Sequence, residues 1–208
     1  MRRVYPAMNS IPRCSICGVH QHLCFCADFP VYAPRTRFLF LQHTQEAQKP
    51  TNSARLACRI LSTASIIPWS RTDPPPFPED TILLYPSVDA TPLTPDDLSG
   101  SSQVVIPDGT WSQASRIARV LQNRPLLRRI LPVGNATAWT VRQSDDPERI
   151  SSAQAAAMVL QLAGETESAH FLYQAVAESG RRILAMRGMA RPLPIDPNLP
   201  DPFLRAYP

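Results

Sequence analysis

The segment that decides the fold of this chain is Gln103-Val104-Val105-Ile106-Pro107-Asp108-Gly109-Thr110-Trp111. Its apolar opening predicts a buried strand over 103–106, and the pattern from Ser112 to Gln122 predicts a helix directly after the turn. Gly109 allows a tight turn between the two elements, and Thr110 is of a residue type that caps helices. A strand that passes through a glycine turn into a helix is typical of a parallel sheet, whose ligands bind where strands end.

The rest of the chain repeats this alternation of strands and helices. Apolar runs predict four further strands, at Arg37–Gln42, Thr81–Tyr85, Arg128–Pro132 and Ala138–Arg142. Helical patterns begin at about Asn52, at Ser151 with a stop at Gly164, and at Glu165 with an end between Glu178 and Met186. The proline-rich stretch 73–78 predicts a loop, and the polar stretch 89–102 predicts a loop with at most one helical turn. We therefore expect an α/β protein with a mostly parallel sheet flanked by helices.

Polar residues follow three of the predicted strands. They are Gln42-His43 with Glu46, Tyr85-Pro86-Ser87, and Asp108-Gly109-Thr110-Trp111. Asp108 could accept a proton or hold a polar group of a ligand, and Trp111 offers a face on which a nucleobase or adenine could stack. The same turn also suits a capped helix start around a buried tryptophan, and His43 with Glu46 suits a helix-cap network. The residues alone leave both interpretations open.

Four of the five cysteines are concentrated near the N-terminus, in the spacing Cys14-x2-Cys17-x6-Cys24-x-Cys26. Four thiolates can complete the tetrahedral shell of a zinc ion, and a cysteine pair two residues apart has the spacing of a zinc knuckle. Such a closed site would stabilise the fold and take no part in the chemistry. His20 and His22 lie between the pairs and could replace one thiol. A redox pair or an empty thiol cluster is the alternative.

The composition of the 208-residue chain favours a polyanionic partner. Its net charge is +4, its pI is about 9.0, and Lys49 is the only lysine. Arginine binds phosphate in a bidentate manner and stacks on bases, although a GC-rich genome would produce the same bias. The segment 112–132 contains no acid and carries Arg116, Arg119, Arg124, Arg128 and Arg129, and a second cluster comprises Arg181, Arg182, Arg187 and Arg191. No apolar run is long enough to cross a bilayer and no secretory signal is evident, so we expect a cytoplasmic protein.

Several linked motifs resemble those of the DTW-domain family. Asp108-Gly109-Thr110-Trp111 resembles the family signature, and Ser112-Gln113-Ala114 resembles its continuation. Its companions follow in family order: the four cysteines, Gln42-His43-x-x-Glu46, Asn52-x-x-Arg55-Leu56, Leu84-Tyr85-Pro86-Ser87 and Ser151-Ser152. The resemblance covers residues 13 to 165. It implies a SPOUT-related fold with a C-terminal trefoil knot and a tRNA-uridine aminocarboxypropyltransferase. Such an enzyme moves the 3-amino-3-carboxypropyl group of S-adenosylmethionine to N3 of a tRNA uridine and releases 5′-methylthioadenosine.

The resemblance also implies roles for individual residues. We expect the cofactor to lie among Leu84, Tyr85, Pro86, Ser87, Asp108, Gly109, Thr110, Ile150, Ser151 and Ser152. Asp108 is the first candidate for a catalytic base or an orienting group, His43 is the second, and Trp111 would shape the pocket. The expected RNA contacts are Arg55, Arg116, Arg119 and Arg142, of which Arg55 or Arg142 could instead clamp the cofactor carboxylate.

Two positions depart from the family pattern. Gln154 stands where the family usually has glutamate, which predicts the loss of a carboxylate contact at the start of a late helix. Trp139 stands where tyrosine is expected. Neither position belongs to the candidate catalytic loop at Asp108.

The predicted organisation has three parts: a zinc knuckle over 1–34, a catalytic domain over 35–191, and an extended proline-rich tail over 192–208. We expect a monomer, because no exposed apolar stripe is evident. Two other functions fit the same features. A SPOUT-like RNA methyltransferase would use the same cofactor but release S-adenosylhomocysteine, and a non-catalytic zinc-knuckle RNA-binding protein would have no affinity for S-adenosylmethionine.

Overall fold

The computed structural model of the chain describes residues 11–47, 49, 52–71, 73–99, 103–132 and 150–186. Within these residues, six strands form one sheet in the order β2-β1-β5-β3-β6-β4, and every pairing is parallel. The strands are β1 (Arg37–Gln42), β2 (Ala64–Pro68), β3 (Ile82–Leu84), β4 (Thr91–Pro92), β5 (Gln103–Asp108) and β6 (Leu127–Ile130). The helices are α1 (Ala54–Ile60), α2 (Trp111–Val120), α3 (Ser152–Leu162) and α4 (Thr166–Met186). The predicted α/β class with a parallel sheet is confirmed.

Both faces of the sheet are covered, which explains why its strands are apolar without interruption. Side chains alternate along a strand, and in β1 Phe38 and Phe40 join the core beneath α1, α3 and α4. Leu39 and Leu41 point to the opposite face, where they pack in a second core with Ile117 of α2. Continuous apolar runs are typical of a parallel sheet buried on both sides.

Two strands are absent from the sequence-based prediction. Strand β2 is an edge strand with half-exposed residues, so its side chains carry little periodic signal. Strand β4 has only two residues, both exposed, within the stretch 89–102 that was predicted to be a loop. The single helical turn predicted in that stretch is present at Asp96–Leu98. The predicted strand Ala138–Arg142 lies outside the described residues. That strand belongs to residues 133–149, which lie between β6 and α3 in the chain and outside the described residues. The trefoil knot therefore also stays a prediction.

The helix boundaries follow from local capping groups. Thr110 before α2 and Ser151 before α3 each form a capping box, with Gln113 and Gln154 respectively as the reciprocal partner. Helix α3 is followed by Gly164 in the left-handed region at φ 73°, as the predicted stop requires. Helix α4 continues to Met186, the longer of the two predicted ends.

The cysteine-containing segment packs on the face of the sheet that α1, α3 and α4 cover. Cys17, Val19 and Phe25 are buried in the same core as α1, α3 and α4. The ring of Tyr32 stacks on that of Phe171 in α4, with 5.0 Å between the ring centroids. This segment therefore shares one apolar core with the sheet. Within the described residues, no helix combines the length and the hydrophobicity that a membrane span requires.

A half-buried ion pair fixes the turn after β4 to strand β6. Arg129 donates from Nε and Nη2 to the two carboxylate oxygens of Asp97, at 2.9 and 2.6 Å. The Asp97 carboxylate also accepts from the backbone N–H and the hydroxyl of Thr94, each at 2.9 Å. These donors, led by Arg129, lower the pKa of Asp97 to about 2.

The shifted carboxyl makes stability depend on acidic pH. Because the pKa of Asp97 is lower in the folded chain, its contribution is present above about pH 4 and is lost as the pH falls towards 2. We predict that Asp97→Asn lowers the free energy of unfolding by about 1–2 kcal/mol at pH 7 and by little at pH 2.5. Urea unfolding at pH 7, 4 and 2.5 measures both values. Asp96→Asn, at the exposed neighbouring residue, is the control. An equal loss of unfolding free energy in Asp97→Asn at all three pH values would contradict the prediction.

Candidate active site

The three strand ends with polar residues lie side by side. Strand β5 runs between β1 and β3, and Gln42 at the end of β1 is level with Asp108 at the end of β5. The backbone N–H of His43 donates to the Asp108 carbonyl at 2.9 Å. All carboxyl ends of a parallel sheet meet at one edge, which is where such sheets bind ligands. The segments beginning at His43, Tyr85 and Gly109 therefore leave the sheet as neighbours, as the sequence predicted.

Asp108 occupies the centre of this edge and is 3% exposed. Its Oδ2 accepts hydrogen bonds from Asn52 Nδ2 at 2.6 Å and from Gln42 Nε2 at 3.1 Å. Its Oδ1 accepts from the hydroxyl of Ser152 at 2.6 Å. We call these four residues the Asp108 network. It joins the ends of two strands to the N-terminal ends of α1 and α3.

The predicted site residues do not include Gln42 or Asn52. Both are buried, and Asn52 Oδ1 also accepts from the backbone of Arg55 at 3.2 Å. Next to it, Ser53 Oγ accepts from the backbone of Ala153 at 3.3 Å. The available signal was a polar side chain at the last position of a buried strand and another just before a helix. Both residues also lie within motifs that carry the family resemblance.

The turn after Asp108 is held by helix capping. Thr110 N donates to Gln113 Oε1 at 2.8 Å, and Gln113 N donates to Thr110 Oγ1 at 3.3 Å. Gln113 also donates to Gln45 Oε1 at 2.9 Å, which ties the turn to the segment after β1. A Cβ on Gly109 would lie 2.9 Å from the Gln113 Cβ, so this close packing requires glycine.

Aromatic residues flank the turn on its β3 side. The rings of Tyr85 and Trp111 are tilted by 44°, with 6.1 Å between their centroids, and both residues are half-buried. Pro86 and Ser87 follow Tyr85 and are exposed, whereas Leu84 is buried within β3. A partly open aromatic pair beside a rigid turn can contact a planar ring such as a nucleobase.

The four cysteines lie together at the other end of α1. The Sγ atoms of Cys14 and Cys26 are 3.9 Å apart, as are those of Cys17 and Cys24, and all four lie within 4.8 Å of one another. Tetrahedral zinc with Zn–S bonds of about 2.3 Å requires sulfur separations of about 3.8 Å. The four thiols therefore fit a zinc ion, and neither His20 nor His22 belongs to this group.

The backbone around Cys14 favours a thiolate. Although burial raises its pKa, hydrogen bonds from the backbone of Cys17 and Ile16, together with those to the thiols of Cys24 and Cys17, outweigh burial and lower the pKa of Cys14 to about 7. Gly18 adopts φ 74°, and its N–H donates to the Cys14 carbonyl at 3.0 Å, which closes the turn between the first two cysteines. By contrast, burial and then the Asp108 charge raise the pKa of Cys58 to about 12. That thiol stays neutral and packs against the core.

Residues 11–182 match the DTW domain. The chain belongs to the DTW-domain family. Its structure is similar to that of Tsr3 from Vulcanisaeta distributa, described as a SAM-dependent rRNA:acp-transferase. The TM-score is 0.52 and the identity 21%, over 73% of this chain and 79% of that chain. At this identity the likeness shows the fold.

Within the DTW domain, Gln154 completes the capping box at the start of α3 although it stands in place of the family's usual glutamate. Gln154 is buried and its Oε1 accepts from Ser151 N at 2.9 Å, while Ser151 Oγ accepts from Gln154 N at 3.2 Å. A glutamine and a glutamate serve equally in a capping box. The departure from the family pattern therefore leaves Ser152 in place against Asp108. Ile150 before it is half-buried and packs against the core.

In this DTW domain, the segment after β1 forms a helix cap at His43, one of the two interpretations that the sequence leaves open. His43 is half-buried, and its Nδ1 accepts from Gln45 N at 3.3 Å at the start of a short 3₁₀ helix. Glu46 is buried and pairs with Lys49 at 2.5 Å. Arg55 is half-buried and its Nη2 donates to the Lys49 carbonyl at 2.5 Å, so this guanidinium is directed towards the protein backbone.

The other predicted RNA contacts of the DTW domain differ in position. Arg116 and Arg119 are exposed on α2, the helix that begins at Trp111. Neither has an ion-pair partner among the described residues. In contrast, Arg128 pairs with Asp89 and Arg129 with Asp97. Arg142 lies outside the described residues.

Proposed function

We propose that this protein transfers the 3-amino-3-carboxypropyl group of S-adenosylmethionine to RNA. The observation that carries the proposal is the Asp108 network, which fixes the predicted cofactor segments at Gly109 and Ile150–Ser152 relative to each other at one edge of the sheet. Membership of the DTW-domain family supports it, and so does the fold shared with Tsr3, which is named as an acp-transferase.

The finer proposal is that the acceptor is N3 of a tRNA uridine. The uridine N3–H passes its proton to solvent, and N3 forms a bond to the γ-carbon of the methionine arm. The C–S bond breaks, and its electron pair returns to sulfur as 5′-methylthioadenosine leaves. The sulfonium is already a good leaving group, so the protein mainly has to hold this carbon, and not the methyl, in front of N3.

We assign Asp108 an orienting role in this reaction. Its two oxygens already accept three hydrogen bonds, and the side chain is buried, so it is poorly placed to take a proton from RNA. His43 is a better candidate than Asp108 for contact with the uracil ring. Because its Nδ1 accepts from Gln45 N, the neutral ring carries its proton on Nε2 and can donate to a uracil carbonyl oxygen. Trp111 and Tyr85 would line the pocket beside it.

We also propose that the four-cysteine group holds one structural zinc ion. Cys14, Cys17, Cys24 and Cys26 would be its ligands, and the bound metal would take no part in the transfer because four thiolates leave no open coordination position. The ion would stabilise the N-terminal segment that packs on α1 and α4.

The reaction is identified by its small-molecule product. We predict that the purified protein, incubated with unmodified tRNA transcripts and S-adenosylmethionine, releases 5′-methylthioadenosine and leaves a 3-amino-3-carboxypropyl group on uridine. Chromatography of the supernatant and mass spectrometry of the nucleosides measure both. Release of S-adenosylhomocysteine would instead indicate a methyltransferase. An absence of S-adenosylmethionine binding by calorimetry would indicate a non-catalytic RNA-binding protein.

Substitutions at Asp108 separate an orienting group from a base. In Asp108→Asn the amide oxygen can still accept from Asn52 and Gln42, and the Ser152 hydroxyl can accept from the new NH2. We therefore predict that Asp108→Asn lowers kcat by about 10-fold or less, whereas Asp108→Ala leaves three buried donors unpaired and also weakens cofactor binding. A loss of kcat of more than about 100-fold in Asp108→Asn, with cofactor affinity unchanged, would make Asp108 the base. Asp96→Ala is the control for an exposed aspartate.

The solvent face of α2 is the proposed RNA surface. Arg116 and Arg119 are exposed on it, and residues 112–132 contain no acid. We predict that Arg116→Gln with Arg119→Gln raises the KM for tRNA by about 10-fold at physiological salt and lowers the salt dependence of binding. The Kd for S-adenosylmethionine should not change. Arg35→Gln, at an exposed position near the start of β1, is the control. A KM equal to that of the control would place the RNA elsewhere.

A further inference from the structure

Helix α1 spans the distance between the four cysteines and the Asp108 network. Just before its first residue, Asn52 donates to Asp108 and Ser53 accepts from the N-terminal end of α3. At its last residue, Ile60, the backbone carbonyl accepts from Tyr32 N at 2.7 Å, next to the cysteine segment. The helix has only seven residues, so its ends are about 10 Å apart. Both ends carry specific polar contacts.

Arg59 makes the contact with the cysteine segment. Its Nη2 donates to the backbone carbonyl of Cys26 at 2.6 Å and to that of Phe29 at 3.2 Å. Its Nη1 is buried and has no hydrogen-bond partner among the described residues. A buried cationic donor without an acceptor is costly unless negative charge lies nearby. Four thiolates around a zinc ion would carry excess negative charge, and Cys26 is one of the four proposed ligands.

We propose that Arg59 is a positioning residue that compensates the charge of the metal centre and couples it through α1 to the Asp108 network. The proposal rests on the zinc centre and the cofactor site described under Proposed function. The guanidinium fixes the carbonyl of a metal ligand and the end of α1 at the same time. Loss of the metal-bound geometry releases this end of the helix and thereby displaces Asn52 from the Asp108 carboxylate.

The packing of α1 explains how such a displacement is transmitted. Ala54, Ala57 and Ile60 are completely buried, and Leu56 is 3% exposed. A helix embedded in a close-packed core moves as a unit, because its side chains have no space to adjust one by one. The Asn52 contact at 2.6 Å is therefore sensitive to where the other end of the helix is held.

The test uses the full-length, zinc-loaded protein and the variant Arg59→Met, which keeps the apolar length of the side chain but removes its charge and donors. A chromogenic chelator measures the rate of zinc release, and calorimetry measures the Kd for S-adenosylmethionine without catalysis. We expect zinc release to be about 10-fold faster and the Kd several-fold higher. Arg35→Met, an exposed arginine beside the same segment, should change neither value. Arg59→Lys, which keeps the charge but loses the forked donors, should lie between.

Coupling is reciprocal, so it also appears in the unmodified protein. Saturating S-adenosylmethionine should tighten zinc binding several-fold in the wild type, measured by equilibrium competition with the chelator, and should not do so in Arg59→Met. If Arg59→Met does not fold, this wild-type effect and Arg59→Lys decide the proposal.

Each remaining outcome would overturn a different part of the proposal. Zinc release and Kd equal to those of the wild type would overturn the role of Arg59. Faster zinc release with an unchanged Kd would overturn the coupling. A wild type that holds zinc but does not bind S-adenosylmethionine would overturn the proposed function, while its zinc release would still test the charge compensation by Arg59.

Discussion

The buried carboxylate of Asp108 organises the end of the sheet at which the strands have their carboxyl termini. A charged group taken out of water is stable only when its oxygens are fully hydrogen-bonded, and here three side-chain donors meet that requirement. Each donor comes from a different element: the end of β1, the approach to α1 and the start of α3. One desolvated group therefore fixes three loops relative to one another. The capping boxes at Thr110 and Ser151 then set the directions in which α2 and α3 leave that edge.

Much of the fold follows from hydrophobic pattern. The strands β1, β3 and β5 are apolar runs because they are buried on both faces, and this signal is strong in a sequence. The strands β2 and β4 escape it for a physical reason. They lie at the two edges of the sheet, where half-exposed or exposed side chains give no periodic contrast, and their pairing depends on neighbours far away in the chain. Secondary structure that forms through long-range contacts leaves little local trace.

The position of the candidate site in the fold was predictable from the sequence, but the contacts between its side chains were not. Polar residues after three strands located the edge, and the glycine turn indicated where a ligand could approach. Asn52 and Gln42 lie in motifs visible in the sequence, but the carboxylate to which they donate does not follow from the sequence, because only the folded chain brings them to Asp108. Arg59 is a similar case. In the sequence it is an ordinary arginine near the end of a helix, whereas in the structure its guanidinium contacts the backbone of a cysteine segment more than thirty residues away.

The hydrogen bonds of Asp108 also have a consequence for the order of folding. They close chain separations of 66, 56 and 44 residues, to Gln42, Asn52 and Ser152. Contacts across such distances form only after the entropy of closing the intervening chain has been offset by other interactions. We expect the pairing of β1 with β5, which closes the same separation as the Gln42 contact, to offset much of this entropy, and the docking of α3 to bring Ser152 to Asp108. A chain with native strands but an undocked α3 would have most of its secondary structure but would lack the Ser152 contact of the Asp108 network. The complete Asp108 network is thus a stricter measure of complete folding in this protein than helix or strand content.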